Sequence, residues 1–351
     1  MPNIYYFFSC FNNYDILIGE QYRFIKGIKH QVIILDDHSN EDEQEKGRNF
    51  CSENGLMFVV NRYKGLQMGI KFLSEEIVPD ATWLISLQQD TFINLETSPT
   101  AYIDERLAKI SAKKLPIGAV GFQNFVKNSH YNFEIDHSDA FNTLQTWLGV
   151  FFLSPSKHFV PQGLYYKAVA LIAKSSLVAR FTKKFRHRVT VNRNFAPRTF
   201  PNFYEVSAKF EGLSSIELPV WAAVAINLDV WRKKIEPDQN FIFHLWFPDV
   251  AMQFLSKNYY VCVDTTMHVI NDVNLKEKYG QLGSVEEGKI AKSTKMEKYG
   301  GHLDVFKRKW GFDYEYIYPS TSDIRKRFKG TLISEYIDQN PSKGPIKVFK
   351  I

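Results

Sequence analysis

Residues Thr82–Leu95 read TWLISLQQDTFINL, and the fold prediction starts from this stretch. Its first half, WLISL, is a short run of bulky apolar residues, which predicts a strand buried in a sheet. The run ends on Gln88, Gln89 and Asp90. In open α/β sheets ligands bind just beyond the carboxyl ends of the strands, and a carboxylate there can hold a divalent metal, because hard cations prefer oxygen ligands. The alternative is that Asp90 only begins the next turn.

Predicted strands and helices alternate on both sides of this stretch. Strands that alternate with helices at such spacing imply right-handed crossovers and a parallel sheet. We therefore predict an α/β fold with a mixed, mostly parallel sheet and flanking helices. The predicted strands are Ile4–Ser9, Gln31–Leu35, Met57–Val60, Ile117–Phe122 and Tyr259–Val263, and the predicted helices are Leu17–Lys29, Glu41–Asn54, Ile70–Glu76, Tyr102–Lys113 and Leu303–Trp310.

Composition divides the chain into four parts. Residues 1–123 carry the alternating pattern, and residues 124–214 are irregular, aromatic and basic, which is typical of an insertion. Regular patterning returns in residues 215–275, and residues 276–351 form a Lys-rich C-terminal extension with a helical tail. Neither an internal repeat nor a low-complexity tract is present in the sequence.

The overall composition is that of a globular protein. The 351 residues are 44% hydrophobic and 23% charged. Three widely spaced cysteines argue against a disulfide framework and a zinc site, and favour a reducing compartment. The first residues lack a basic region and a cleavage site, and no run approaches 18 uncharged apolar residues. We expect a cytoplasmic protein without a membrane-spanning helix.

The positive charge is concentrated in one segment. Residues 140–204 hold ten basic residues and no acidic one, which accounts for the whole net charge of +6. Three interpretations compete: a solvated helical face, a surface that lies on an anionic membrane, and a surface that neutralises the phosphates of a nucleic acid. The candidate contacts to a polyanion are Lys183, Lys184, Arg186 and Arg188.

Several motifs occur in the order that the family 2 glycosyltransferases of the GT-A fold have them. ILDDHSNED is similar to the family's motif at strand two, and NRYKGLQMG to its third-strand loop. LQQDTF stands where the family has an Asp-x-Asp metal motif, and HLWFPDVAMQFLSKNYYV resembles the acceptor-side segment. DVFKRKWG is similar to a signature near the family's C-terminus. The chain resembles this family over roughly residues 3–123 and 215–312.

The resemblance implies an inverting, metal-dependent hexosyl- or pentosyltransferase that uses a nucleotide-sugar such as a UDP-sugar, with Mn²⁺ or Mg²⁺. Residues 1–123 would bind the nucleotide-sugar, residues 215–275 would form the acceptor and catalytic half, and the insertion could contact the acceptor. A carboxylate base activates the acceptor hydroxyl, and a divalent cation stabilises the leaving diphosphate. The implied residues are Asp249 as the base, Asp90 and His268 for the metal, Asp36, Asp37, Asn61, Arg62, Lys64, Gly65, Gln88 and Gln89 for the nucleotide-sugar, and His244 and Trp246 for the acceptor.

Several of these residues have a plainer interpretation. A Pro-Asp pair before a helical run also begins a helix, so Asp249 could be a cap. His244 could be a packed histidine, and Trp246 could belong to the core. The motifs also depart from the family, since Gln88 replaces the first metal-binding Asp and Pro248 replaces a Glu that often precedes the base.

The sequence leaves the acceptor and two other functions open. The acceptor is a glycan, a lipid-linked sugar, or hydroxymethylated DNA of the phage type, and peripheral membrane contact fits the basic segment. The residue usage suggests an AT-rich genome, which fits a phage or virus acting in the host cytoplasm. The alternative functions are a catalytically inactive GT-A scaffold that binds nucleic acid or another polyanion, and a nucleotidyltransferase, which would not predict the Lys-Trp-Gly tail.

Overall fold

The computed structural model describes ten ranges of the chain, and the strands within them form one sheet. The ranges are 3–28, 31–95, 98–127, 212–215, 223–242, 245–272, 275–279, 302–312, 322–338 and 347–351. The strands are β1 (Ile4–Cys10), β2 (Val32–Asp36), β3 (Met57–Val60), β4 (Trp83–Leu87), β5 (Thr91–Ile93), β6 (Ile117–Lys127), β7 (Leu213–Ser215), β8 (Ala223–Asn227), β9 (Tyr260–Asp272) and β10 (Val348–Phe349). The sheet order is β10-β7-β9-β6-β8-β4-β1-β2-β3, and β5 pairs with β9.

Most of these strands run in one direction. β1 pairs in parallel with β2 and β4, and β2 pairs in parallel with β3. β8 runs antiparallel between β4 and β6, while β6 and β9 are parallel. Every residue of β2 and β4 is buried, which is why each reads as a continuous apolar run. The predicted fold class, a mixed and mostly parallel sheet with flanking helices, is confirmed.

Helices cover both faces of the sheet. α4, α6, α7, α9, α10 and α11 share one hydrophobic core on one face, and α2, α3 and α5 share a second core on the other. In the part of the chain that the structure describes, no helix has both the length and the apolar character needed to cross a bilayer. The helices are α1 (Tyr14–Ile16), α2 (Tyr22–Gly27), α3 (Glu41–Asn54), α4 (Leu66–Phe72), α5 (Thr100–Ala112), α6 (Leu228–Lys234), α7 (Trp246–Ser256), α8 (Leu275–Lys278), α9 (302–310), α10 (Ser322–Arg327) and α11 (Leu332–Asp338).

Within the ranges that the structure describes, two π-helical turns interrupt the regular helices. One of them, Leu17–Gln21, joins α1 to α2, and the other, Leu73–Ile77, continues α4. The sequence predicted plain helices in both places. A π-turn needs one extra residue per turn, and such turns are frequent at functional sites.

The observed boundaries agree with the prediction for α3 and differ from it for β6 and β9. α3 ends at Gly55 with φ of 65°, the left-handed conformation that a glycine helix stop supplies. β9 is longer than the predicted strand because a register shift lets it continue beside β6, and β6 itself continues to Lys127.

The three cysteines, which were not expected to form a disulfide framework, are free and buried. The four basic candidate contacts at 183–188 and His244 lie outside the described residues.

Candidate active site

The ends of three strands place polar residues along one edge of the sheet, here called the carboxyl edge. β2 ends at Asp36, β3 is followed by Asn61, and β4 is followed by Gln88, with β1 between β2 and β4. Parallel strands bring their carboxyl ends to the same edge, and in open α/β sheets this edge is where ligands bind. The structure therefore brings the predicted nucleotide-sugar residues of the three strands to the same edge.

Asp36 and Asp37 are neighbours in sequence but have different surroundings. Asp36 is fully buried, and each of its oxygens accepts a hydrogen bond: Oδ2 from the Tyr14 hydroxyl at 2.7 Å and Oδ1 from the Ser39 amide at 3.1 Å. Asp37 is only partly buried, and Oδ1 accepts both of its hydrogen bonds within the described residues. Asp36 therefore fixes the strand end, whereas Oδ2 of Asp37 faces no donor from the described chain.

Asp37 holds the loop of residues 61–65, called the 61–65 loop. Its Oδ1 accepts from Asn61 Nδ2 at 2.8 Å and from the Gly65 amide at 3.0 Å. Burial raises the pKa of Asp37, and the hydrogen bonds from Asn61 and Gly65 oppose that effect. Gly65 has φ of 90°, and a Cβ there would lie 2.6 Å from the Cα and O atoms of Ile242. The predicted glycine is thus required for both conformation and space.

The two predicted cations of the 61–65 loop are exposed. Arg62 forms an ion pair with Glu76 at 2.8 Å, and its guanidinium lies 5.2 Å from the centroid of the Phe72 ring. Lys64 is also exposed. Arg62 is thus engaged with the helical segment that follows the loop, and its nucleotide-binding role stays a prediction, as does that of Lys64.

The turn of residues 88–91, called the 88–91 turn, carries the predicted metal ligand. Gln88 is half-buried, Gln89 is 4% exposed and Asp90 is 1% exposed. The Thr91 amide donates to the Gln88 carbonyl at 3.0 Å and closes the turn. One other buried side chain, Gln21, donates to the carbonyls of this turn.

The register between β5 and β9 separates Asp90 from His268. Asp90 precedes Thr91, which pairs with Asn271, whereas the Asn94 amide donates to the His268 carbonyl at 3.0 Å. His268 is therefore level with Asn94, four residues or roughly 13 Å along the strand from Asp90. The His268 ring Nε2 also lies 2.9 Å from the Thr265 carbonyl. The register therefore offsets the two backbones, and the joint metal role of Asp90 and His268 stays a prediction.

Asp90 is the carboxylate that the 88–91 turn offers to a divalent cation. The described ranges contain no group of three or more His, Cys, Asp or Glu residues that could hold a metal by themselves. Mg²⁺ can be held through one or two carboxylates when substrate phosphates and water complete its shell. Asp90 fits that use, with the amide oxygens of Gln88 and Gln89 beside it in sequence.

Asp249 lies at the centre of a buried polar group, called the Asp249 cluster. It is fully buried on α7, and four side chains donate to its two oxygens. A carboxylate has about four lone-pair sites, so this one is fully engaged. It makes no capping bond to its own helix, and so the cap interpretation does not describe it either. The donors are Trp310 Nε1 at 2.8 Å, Gln253 Nε2 at 2.9 Å, Lys309 Nζ at 2.9 Å and Gln67 Nε2 at 3.1 Å.

The cluster joins segments that are far apart in sequence. Gln67 belongs to α4, which follows the 61–65 loop, while Lys309 and Trp310 belong to α9. Lys309 also pairs with Asp238 at 3.2 Å. Burial works against the charge on Asp238, but the Asn240 amide and the Lys309 ammonium outweigh it and lower the pKa. The arrangement holds α9 against α4 and α7.

Trp246 occupies a core position. It is 1% exposed and its ring packs edge-to-face on Phe247 at a centroid distance of 5.3 Å. This placement matches the core interpretation of Trp246 and gives an acceptor no face to stack on.

Sequence reasoning missed the glutamines that organise these regions. Gln21, Gln67 and Gln253 are buried and bind backbone or carboxylate groups up to 182 positions away. An isolated Gln in a helical pattern carries no local signal of such a role. The sequence showed the Lys-Trp pair at 309–310 only as part of a family motif and did not predict its contact with Asp249.

Comparisons with known proteins are distant. No protein-family model matches the sequence, and neither does any curated protein. A solved structure of GalNAc-T7 with UDP, GalNAc and Mn²⁺ is similar with a TM-score of 0.41 and 11% identity, over 78% of this chain and 44% of that one. S. aureus TarS 1-349 in complex with UDP-GlcNAc is similar with a TM-score of 0.37 and 11% identity, over 78% and 58%. The chain spans about half the length of these proteins. At these TM-scores and identities the likenesses do not assign a function to the chain.

Proposed function

We propose that the chain is a glycosyltransferase that moves a sugar from a nucleotide-sugar to an acceptor hydroxyl. The observation that carries this proposal is the carboxyl edge, where Asp37, the 61–65 loop and the 88–91 turn follow the carboxyl ends of β2, β3 and β4. An edge that presents acidic and amide groups suits a ligand rich in hydroxyl and N–H donors, such as a nucleoside and its ribose.

In this proposal Asp37 binds the nucleoside. Both hydrogen bonds that it accepts within the described chain end on Oδ1, so Oδ2 can accept from a ribose hydroxyl or from the N–H of a base such as uracil. A hydrogen bond to an ionised carboxylate is about twice as strong as a neutral one. Asp36 has a structural role in the site, because both of its oxygens accept hydrogen bonds from the protein.

Asp90 is assigned to the diphosphate end of the donor. A divalent cation held by Asp90 would neutralise the charge that develops on the leaving diphosphate. In the transfer itself, the acceptor oxygen bonds to the anomeric carbon while the bond from that carbon to the diphosphate oxygen breaks. A single displacement of this kind inverts the anomeric configuration, and the hydroxyl proton passes to a base.

Asp249 was predicted to be that base, and its surroundings support another assignment. A general base needs a lone pair within reach of the substrate proton, and four donors occupy the oxygens of Asp249. We assign Asp249 to the docking of α9, with Gln67, Gln253, Lys309 and Trp310 as its partners.

The acceptor is proposed from sequence alone. The acid-free segment of residues 140–204 favours a polyanion such as hydroxymethylated DNA, whereas the wider family favours a glycan or a lipid-linked sugar. The replacement of an aspartate by Gln88 in the metal motif supports a second candidate function, an inactive scaffold that binds a polyanion.

A nucleotide-release assay tests the proposal. The protein is incubated with Mn²⁺ and a panel of nucleotide-sugars, with hydroxymethylated DNA, unmodified DNA or glycan acceptors. The same incubation is made with the binding-site variant Asp37→Asn. Release that depends on one acceptor and falls in the variant supports transfer. Tight DNA binding with no release from any donor would instead support the inactive scaffold.

A further inference from the structure

Gln21 connects the first π-turn to the 88–91 turn through one side-chain amide. It is fully buried and is the last residue of the π-turn Leu17–Gln21. Its Nε2 donates to the Gln89 carbonyl at 3.0 Å and to the Thr91 carbonyl at 2.8 Å. These carbonyls belong to the residues on either side of Asp90, so one amide fixes the backbone on both sides of it.

The orientation of this amide is dictated by its neighbours. A reversed amide would place Oε1 against two carbonyl oxygens, which accept but cannot donate. In the observed orientation Oε1 is buried and has no hydrogen-bond partner among the described residues. A buried unsatisfied acceptor costs free energy and calls for an explanation. Here the explanation is that both hydrogens of Nε2 are committed to the 88–91 turn.

The π-turn that carries Gln21 is itself held from outside. The Tyr279 hydroxyl donates to Glu20 at 2.8 Å, and Lys278 pairs with the same carboxylate. A Cβ on Gly19 would lie 2.8 Å from the Tyr279 hydroxyl oxygen, so Gly19 permits this close approach. The segment 275–279 thus packs on the π-turn. These contacts fix the position of the π-turn, from which Gln21 reaches the 88–91 turn.

We infer that Gln21 is a positioning residue, which sets the backbone around Asp90 for donor binding. Its role rests on the proposed function, because Asp90 is the group that would meet the diphosphate end of the donor. Gln21 does not touch the donor; it acts through the carbonyls of Gln89 and Thr91.

The test uses Gln21→Met, which keeps the length of the side chain and removes both N–H donors. Gln31→Met is the matched control, because Gln31 Nε2 donates to a strand carbonyl, that of Ile4, at 3.1 Å and at the opposite end of the sheet. Each change is also made together with Asp90→Asn, and affinity for UDP and for UDP-sugars is measured by calorimetry with and without Mn²⁺.

Gln21→Met should weaken nucleotide-sugar binding by about tenfold, within the range of coupling between contacting residues, and should add nothing further once Asp90 is Asn. Gln31→Met should leave the affinity unchanged. An equal loss in both backgrounds, or an unchanged affinity in Gln21→Met, would overturn the inference.

Hydrogen exchange separates this inference from the proposed function. In the absence of any ligand, Gln21→Met should speed amide exchange across residues 88–91, and Gln31→Met should not. If the wild-type protein binds no nucleotide-sugar, the proposed function fails. The exchange result still decides whether Gln21 holds the turn, and unchanged exchange there would refute that.

Discussion

The carboxyl edge and the Asp249 cluster use the same residue types in opposite ways. At the edge, Asp37 accepts both of its described hydrogen bonds on Oδ1, and Oδ2 accepts none from the described chain. In the cluster, Asp249 accepts from four side chains and is fully buried. The difference shows that a carboxylate in a motif is available for chemistry only where the fold leaves one of its oxygens without a donor.

We expect the largest loss of stability from a substitution of Asp249, and this loss tests the difference between the cluster and the edge. Asp249→Leu leaves Lys309 and the amides of Gln67 and Gln253 without their shared acceptor. Removing one partner of a buried ion pair costs about 3–5 kcal/mol, so we expect a loss near the lower end of that range because Lys309 keeps Asp238. Urea unfolding measures it.

Asp249→Asn distinguishes a docking residue from a base. A docking residue predicts lower stability and proteolysis near α9, since an amide cannot pair with the Lys309 ammonium in the same way. A base predicts normal stability and a transfer rate lower by about 100-fold or more. Normal stability with transfer abolished would show that Asp249 is the base and not a docking residue.

The strands could be predicted because their signal is local. β1 to β4 are short apolar runs, and α3 ends at a glycine that takes the left-handed conformation. The contacts of the site are not local: Gln67 and Asp249 are 182 positions apart. His268 was assigned to the metal from its place in the sequence, but a register shift between Phe122 and Gln123 helps set where it lies. Which oxygens stay open depends on such long-range contacts.

Gly65→Ala should have the next largest effect, and it acts on the carboxyl edge alone. The new Cβ would lie 2.6 Å from the Ile242 backbone, and φ of 90° is unfavourable for alanine. Strain of this kind costs about 1–3 kcal/mol, and relief by moving the 61–65 loop would release Asp37. We expect donor affinity to fall more than stability does. Gly27→Ala is the control, because nothing lies within 4 Å of its Cβ position.

Arg62→Gln should have the smallest effect. Its ion pair with Glu76 is exposed, and such pairs contribute about 0–1 kcal/mol. If Arg62 serves the helical segment and not the donor, its replacement should leave the nucleotide affinity unchanged. Calorimetric titration with UDP measures this affinity. A loss of affinity would show that Arg62 binds the nucleotide, as the sequence predicted.

The pH dependence of UDP binding tests the carboxyl edge as a donor site most directly. Burial raises the pKa of Asp37, so as the pH falls its carboxylate takes up a proton at a higher pH than an ordinary aspartate and can no longer accept through an ionised Oδ2. We predict that wild-type affinity falls as the pH is lowered through this raised pKa, and that Asp37→Asn binds more weakly at neutral pH with a flat profile. A variant that binds UDP as well as the wild type, with the same acid dependence, would contradict the assignment.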